Sequence, residues 1–169
     1  MKDYTRIECG NLILDDKVDI TDPCYDKGTW CRITTECQPG VYVGYVDIVD
    51  CGVWGMRVGA ITICREDVLI DGVFDWECIG DIGVDAGLAG FFNNKPDYPD
   101  DDWICFLEDN GILGDNKKEE DYYVCDCGIF SASGYGDGGY NVFANANRTA
   151  FKIDFGILNE DEEDDEDDI

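Results

Sequence analysis

Val41-Tyr42-Val43-Gly44-Tyr45-Val46-Asp47-Ile48-Val49, then Asp50-Cys51-Gly52, then Val53-Trp54-Gly55-Met56-Arg57-Val58-Gly59-Ala60-Ile61-Thr62-Ile63-Cys64: this stretch decides the fold class. Both arms are dense in β-branched and aromatic side chains, which fit a pleated surface better than a helix. The turn signal Gln38-Pro39-Gly40 precedes the first arm, and the Gly-containing link between the arms suits a hairpin. Two antiparallel neighbours are predicted.

Working outward, further runs of the same kind occupy residues 6–14, 76–84, 87–92, 122–130, 139–146 and 149–157. They are short, regularly spaced and separated by Gly, Asn and Asp. That pattern predicts a mainly β fold, an antiparallel sandwich or partly open barrel, instead of alternating βα units. One short helix is expected from Asp100 to Glu108. Pro99 and three aspartates stand at its start, Trp103, Phe106 and Leu107 share a face, and Asn110-Gly111 ends it. The polar segments 93–102 and 114–121 read as surface loops, and Asp22 before Pro23 suits a turn. At 169 residues with 44% hydrophobic content, the chain can bury one core. The expectation is a single β-rich domain over 1–158 and a disordered acidic tail over 159–169, where like charges repel each other into solvent.

Charge narrows the function classes. The chain carries 39 acids against 12 bases, a net −27, and the nine carboxylates from Glu160 to Asp168 account for a third of it. The remainder is still −18. Such a surface repels phosphate backbones, so direct nucleic-acid binding is not expected, whereas a basic protein or a divalent cation is attracted from a distance. Salt-adapted proteins show the same imbalance with no partner. The opening residues Met1 to Asn11 hold no apolar stretch of signal-peptide length, and nowhere do about 18 apolar residues run together. A cytoplasmic protein without a membrane partner is expected.

The ten cysteines show no paired Cys-x-x-Cys spacing; the sole close pair is Cys125-Asp126-Cys127. Without a secretory route, reduced thiols packed as small apolar side chains are expected. No histidine is present, so zinc would need an all-thiolate or thiolate–carboxylate set without the usual knuckles. No metal and no cofactor is assigned.

Three stretches could carry chemistry. In Asp19 to Gly28, Asp22 precedes Pro23, and Cys24 lies close to carboxylates that raise its pKa and quench it as a nucleophile. In Asp81 to Gly90, Asp85 can accept backbone hydrogen bonds in a turn of small residues. In Ser131 to Tyr140, four glycines surround Asp137. Asp22, Asp85, Ser133 and Asp137 are therefore the candidate residues for a small-ligand, divalent-cation or hydrolytic site. None of these stretches has calcium-loop spacing, and no nucleophile with a base is assembled.

Asp22-Pro23, Val84-Asp85-Ala86-Gly87, Ser133-Gly134-Tyr135-Gly136-Asp137-Gly138-Gly139-Tyr140 and the closing Ala150-Phe151-Lys152-Ile153-Asp154-Phe155 resemble the family called domain of unknown function 4241. The resemblance covers most of the body and is strongest in the Gly-Tyr-Gly-Asp-Gly stretch. Members often carry Ser or Thr at the position of Ala86, which weakens any catalytic carry-over. It implies a bacterial or phage setting, with short members similar to phage accessory proteins, and no established activity.

The expectation that follows is a protein acting by binding, more an interaction module than an enzyme. Its acids, with Asp97, Asp100, Asp101 and Asp102 as the partner-binding group, would occupy a basic nucleic-acid-binding surface of a host or defence protein. A carboxylate-lined ligand, cation or hydrolase site is the alternative.

Overall fold

The computed structural model describes residues 2–115 and 117–158; the expected tail, 159–169, lies outside them. Eleven strands and one helix follow in order: β1 Thr5–Leu14, β2 Lys17–Thr21, β3 Ile33–Glu36, β4 Gly40–Asp50, β5 Met56–Arg65, β6 Glu77–Val84, β7 Leu88–Phe92, α1 Asp100–Asp109, β8 Tyr122–Cys125, β9 Gly128–Ala132, β10 Gly138–Ala144 and β11 Ala150–Asp154.

The strands form two antiparallel sheets, a sandwich. One sheet runs β1-β4-β5-β11-β10-β6, and the other β3-β2-β7-β9-β8. The deciding hairpin is central to the first sheet, with Val46 opposite Ile61 and Gly44 opposite Ile63. Between the sheets, Val46, Ile61, Ile63, Phe151 and Ile153 meet Val18, Ile20, Phe91 and Ile129 in one buried cluster. Gly44 permits this approach, because a Cβ there would stand 2.9 Å from two atoms of Ile129.

The second sheet is covered on both faces. All five residues of β7 are buried. Ala89 and Phe91 point to the inter-sheet core, whereas Leu88 and Phe92 join Phe106, Tyr123 and Phe130 under α1. Helix α1 exists for the reason its pattern implies: Trp103, Phe106 and Leu107 lie against this outer face, and Asn110 ends it. Phe106 stacks on Phe130 with ring centroids 5.3 Å apart, and Trp103 stacks on Phe106 at 5.4 Å. Such pairs add about 1 kcal/mol each beyond their buried area.

Two expected strands need correction. The run 53–64 is not one strand: Gly52–Trp54 forms a single 3-10 turn, closed by Gly55 at φ 79°, before β5 begins. The run 122–130 folds back on itself at Asp126-Cys127, so that Val124 faces Ile129 as β8 and β9. Strands β2 and β3 come in addition to the expected runs. Asp, normally poor in strands, is accommodated at position 19 because Thr34 Oγ1 donates to it at 2.7 Å and Arg32 pairs with it at 3.4 Å. Asp100, Asp101 and Asp102 form the first turn of α1, as the helix pattern predicts, so the loop read over 93–102 ends at Pro99. There their charges oppose the positive end of the helix dipole.

Candidate functional site

The strand register places two groups of residues at opposite ends of the second sheet. At one end lie Thr21, opposite Gly90, and Leu88, opposite Ala132. At the other, Phe92 and Cys125 both face Gly128.

Asp22 follows β2 at the first end and is fully buried. One carboxylate oxygen accepts the Cys24 N–H at 2.9 Å; the other accepts those of Asp85 at 2.9 Å and Ala86 at 2.6 Å. The adjoining Gly87 carbonyl accepts the Ser133 N–H at 3.1 Å. A Cβ on Gly87 would stand 4.0 Å from Asp137 Oδ1. Asp22, Asp85, Ser133 and Asp137, remote in sequence, are thus brought together.

Their chemistry is chiefly that of turns. Burial pushes the Asp22 carboxyl above its ordinary value, and the three N–H donors pull it back. Those donors use both oxygens, so Asp22 is held as an acceptor of N–H groups. Ser133 donates its hydroxyl hydrogen to the Gly136 carbonyl at 2.8 Å, which Tyr140 also caps. Its hydroxyl is thus given to a backbone carbonyl and not to the base that a serine nucleophile needs. The Cys24 thiol is pushed up by burial and then by the Asp22 charge, which keeps it protonated. Asp85 and Asp137 stand exposed at the rim. Among the described residues no three acidic, Cys or His side chains are arranged to hold a metal.

The opposite end is acidic and open. Asp97, Asp100, Asp101 and Asp102 are all exposed. Asp97 accepts the Lys27 N–H at 2.8 Å. Ion pairs among the described residues engage Asp19, Asp47, Asp67 and Asp71, and none engages these four acids. Asp97 and Asp102 border a groove of about 720 Å³ shared with Asp109 and Asp126, whereas Asp100 and Asp101 lie outside its lining.

The floor of that groove holds residues to which the sequence reading assigned no role. Cys125 ends β8 and Cys127 lies in the β8–β9 turn, their sulfurs 3.7 Å apart. The Tyr98 hydroxyl is 3.8 Å from Cys127 Sγ. Lys95 is buried beside them, its Nζ 4.8 Å from the Tyr98 ring centre and donating to the Pro96 carbonyl at 2.6 Å. The signal available in sequence was the Cys-x-Cys pair; Lys95 and Tyr98 reach it only because α1 folds over the sheet.

Fold and site together define an acidic antiparallel β-sandwich whose single α-helix among the described residues overlies a thiol-bearing groove. Compared with protein-family models, with curated proteins and with solved structures, the chain matches none. Its functional reading rests on its own geometry.

Proposed function

We propose that the protein acts by binding, presenting the acids around α1 to a basic protein surface that otherwise receives nucleic-acid phosphates. The observation that carries this reading is the exposure of Asp97, Asp100, Asp101 and Asp102 on a helix and its lead-in, with no ion pair to them among the described residues. The helix is anchored by the Trp103–Phe106–Phe130 stack, so the charges sit on a rigid support. Carboxylates so held satisfy Lys and Arg side chains without a polynucleotide, and the net −27 accelerates encounter from a distance. The setting that fits such an action is that of a phage-type accessory protein that occupies a host or defence protein.

The test is capture of basic partners from a bacterial lysate by the full chain, followed by association kinetics across salt. Association should fall by about tenfold or more as salt rises, as steered encounters do. Replacing Asp97, Asp100, Asp101 and Asp102 together with Asn should slow association and flatten its salt dependence. A second reading, a small-ligand or hydrolytic site, draws support from the convergence of Asp22, Asp85, Ser133 and Asp137. It becomes the better one if Asp137→Asn abolishes function in a folded protein while the four substitutions change nothing.

A further inference from the structure

We propose that Cys127 and Cys125 form a thiol–disulfide exchange site in the acid-rimmed groove, with Cys127 the attacking thiol, Cys125 the resolving thiol, and a positively charged disulfide as substrate. Three independent features of the geometry converge on it.

The first is the pair itself. Two sulfurs 3.7 Å apart on either side of Asp126 are in contact but not bonded. A bond near 2.05 Å needs only a small shift of the turn. The Asn93 N–H, donating to the Cys127 carbonyl at 2.7 Å, anchors the backbone from the end of β7.

The second is asymmetry. Cys127 alone of the pair has Tyr98 within reach, 3.8 Å from its sulfur, with the Lys95 ammonium behind the ring. A hydroxyl donor and a nearby cation both favour a thiolate. In keeping with this, the Cys127 thiol is lowered to about 6, first by the S–H that Cys125 donates to it, then by Tyr98 and Lys95. Burial of the thiol opposes that shift; the charged groups that share the groove with it are Asp97 and Asp102 from the α1 side and Asp126 in the turn, all of them exposed to solvent.

The third is access. Both cysteines line the groove, so a substrate reaches them, in contrast to buried Cys31, Cys37 and Cys64. The rim of Asp97, Asp102, Asp109 and Asp126 selects by charge, favouring a disulfide that carries amines over one that carries carboxylates.

The exchange balances. Cys127 thiolate attacks one sulfur of R–S–S–R; the S–S bond breaks, one R–S⁻ leaves and takes a proton from water, and a Cys127–S–S–R mixed disulfide remains. Cys125 gives up its proton to water and attacks Cys127 Sγ, expelling the second R–S⁻, which is protonated in turn. Two electrons pass from the dithiol to the substrate, leaving a Cys125–Cys127 disulfide and two R–SH. A low-molecular-weight dithiol restores the site by the reverse exchange.

The experiment treats the reduced full chain with cystamine, a dicationic disulfide, or with oxidised glutathione, an anionic one, at pH 7, and reads the products by acid-quenched intact mass and peptide mapping. Wild type should end as the Cys125–Cys127 disulfide without retained cysteamine, and should react at least tenfold faster with cystamine than with oxidised glutathione. Cys125→Ser should stop at a cysteamine adduct on Cys127, and Cys127→Ser should react at least tenfold more slowly. Tyr98→Phe should move the pH midpoint of the reaction upward, and Cys78→Ser should behave as wild type. Ala replaces Ser in either cysteine variant whose melting profile departs from that of wild type. Adducts distributed by exposure over Cys78 and Cys105, equal rates for the two cysteine variants, a persistent wild-type adduct, or no preference for cystamine would overturn the proposal.

Discussion

The Asp22 carboxylate accepts the Ala86 N–H at 2.6 Å, tying the end of β2 to a turn 64 positions later. The same oxygen takes the Asp85 N–H at 2.9 Å. Asp22→Asn turns one acceptor into a donor, and whichever way the amide points, buried N–H groups lose their partner. The expected cost is about 2 to 3 kcal/mol, the penalty for stranding buried donors, with Asp22→Ala at least as damaging. Urea unfolding followed by tryptophan fluorescence measures it. A change within 0.5 kcal/mol for both variants would show that the turns hold without this staple.

Gly90 faces Phe130 across the β7–β9 ladder, and a Cβ there would lie 2.2 Å from the Ile129 carbonyl oxygen and 2.4 Å from Phe130 Cα. Neither obstacle is a flexible side chain, so relief requires the two strands to part. Gly90→Ala should therefore cost about 3 kcal/mol or more, at the upper end for overpacked cores. Gly72→Ala, where the closest atom is Leu69 Cβ at 3.8 Å, is the control and should stay near wild type. Equal melting temperatures for the two variants contradict the packing described.

What the sequence makes legible follows from where the physics is local. The β4–β5 hairpin is readable because nearly every position favours a strand. Helix α1 is readable because Pro99, its acids and the Trp103–Phe106–Leu107 spacing agree. Strand β2 escapes because Asp19 looks wrong for a strand until Arg32 and Thr34 are known to face it. The fold-back at Asp126-Cys127 escapes because Asp126 is a single turn former inside an otherwise strand-like run. Each of the Asp22, Asp85 and Ser133–Asp137 stretches is conspicuous alone, but their meeting depends on the order β2-β7-β9, which no local pattern contains. The same holds for Lys95 and Tyr98 beside Cys127: helix packing puts them there.

Phe106 is the hinge between fold and groove. It stacks on Trp103 and Phe130 and lies 4.5 Å from the Tyr98 ring centre, so it fixes both α1 and the residue that faces Cys127. Phe106→Ala should cost about 3 to 5 kcal/mol, as for other buried aromatic truncations. Hydrogen exchange should accelerate in α1 more than in β5. Uniform acceleration across both elements would mean that α1 is no separate layer but part of one cooperative core.

The Cys127–Cys125 pair also predicts a shape for stability against pH. Cys127 is lowered from an ordinary 9.0 to about 6, foremost because Cys125 donates its S–H to it, and the Cys125 thiol is raised for the same reason. Between about pH 6 and 9 the unfolded chain holds two protons on the pair and the folded chain one. The unfolded state binding more protons means that stability rises with pH across this window, and the contribution is lost as pH falls through about 6. Above 9 the sign reverses, since folded Cys125 keeps its proton, as do Cys37 and Cys64, each raised by burial to about 11. The chain has no histidine, so no imidazole titrates in the middle of the range. Under reducing conditions, unfolding free energies from pH 5.5 to 9.5 should climb toward a maximum near 9 in wild type. In Cys127→Ala the climb should disappear, because Cys125 then has no thiolate to protect and both states bind its proton alike below 8. A flat wild-type profile, or an undiminished climb in Cys127→Ala, would remove the thiolate from the groove.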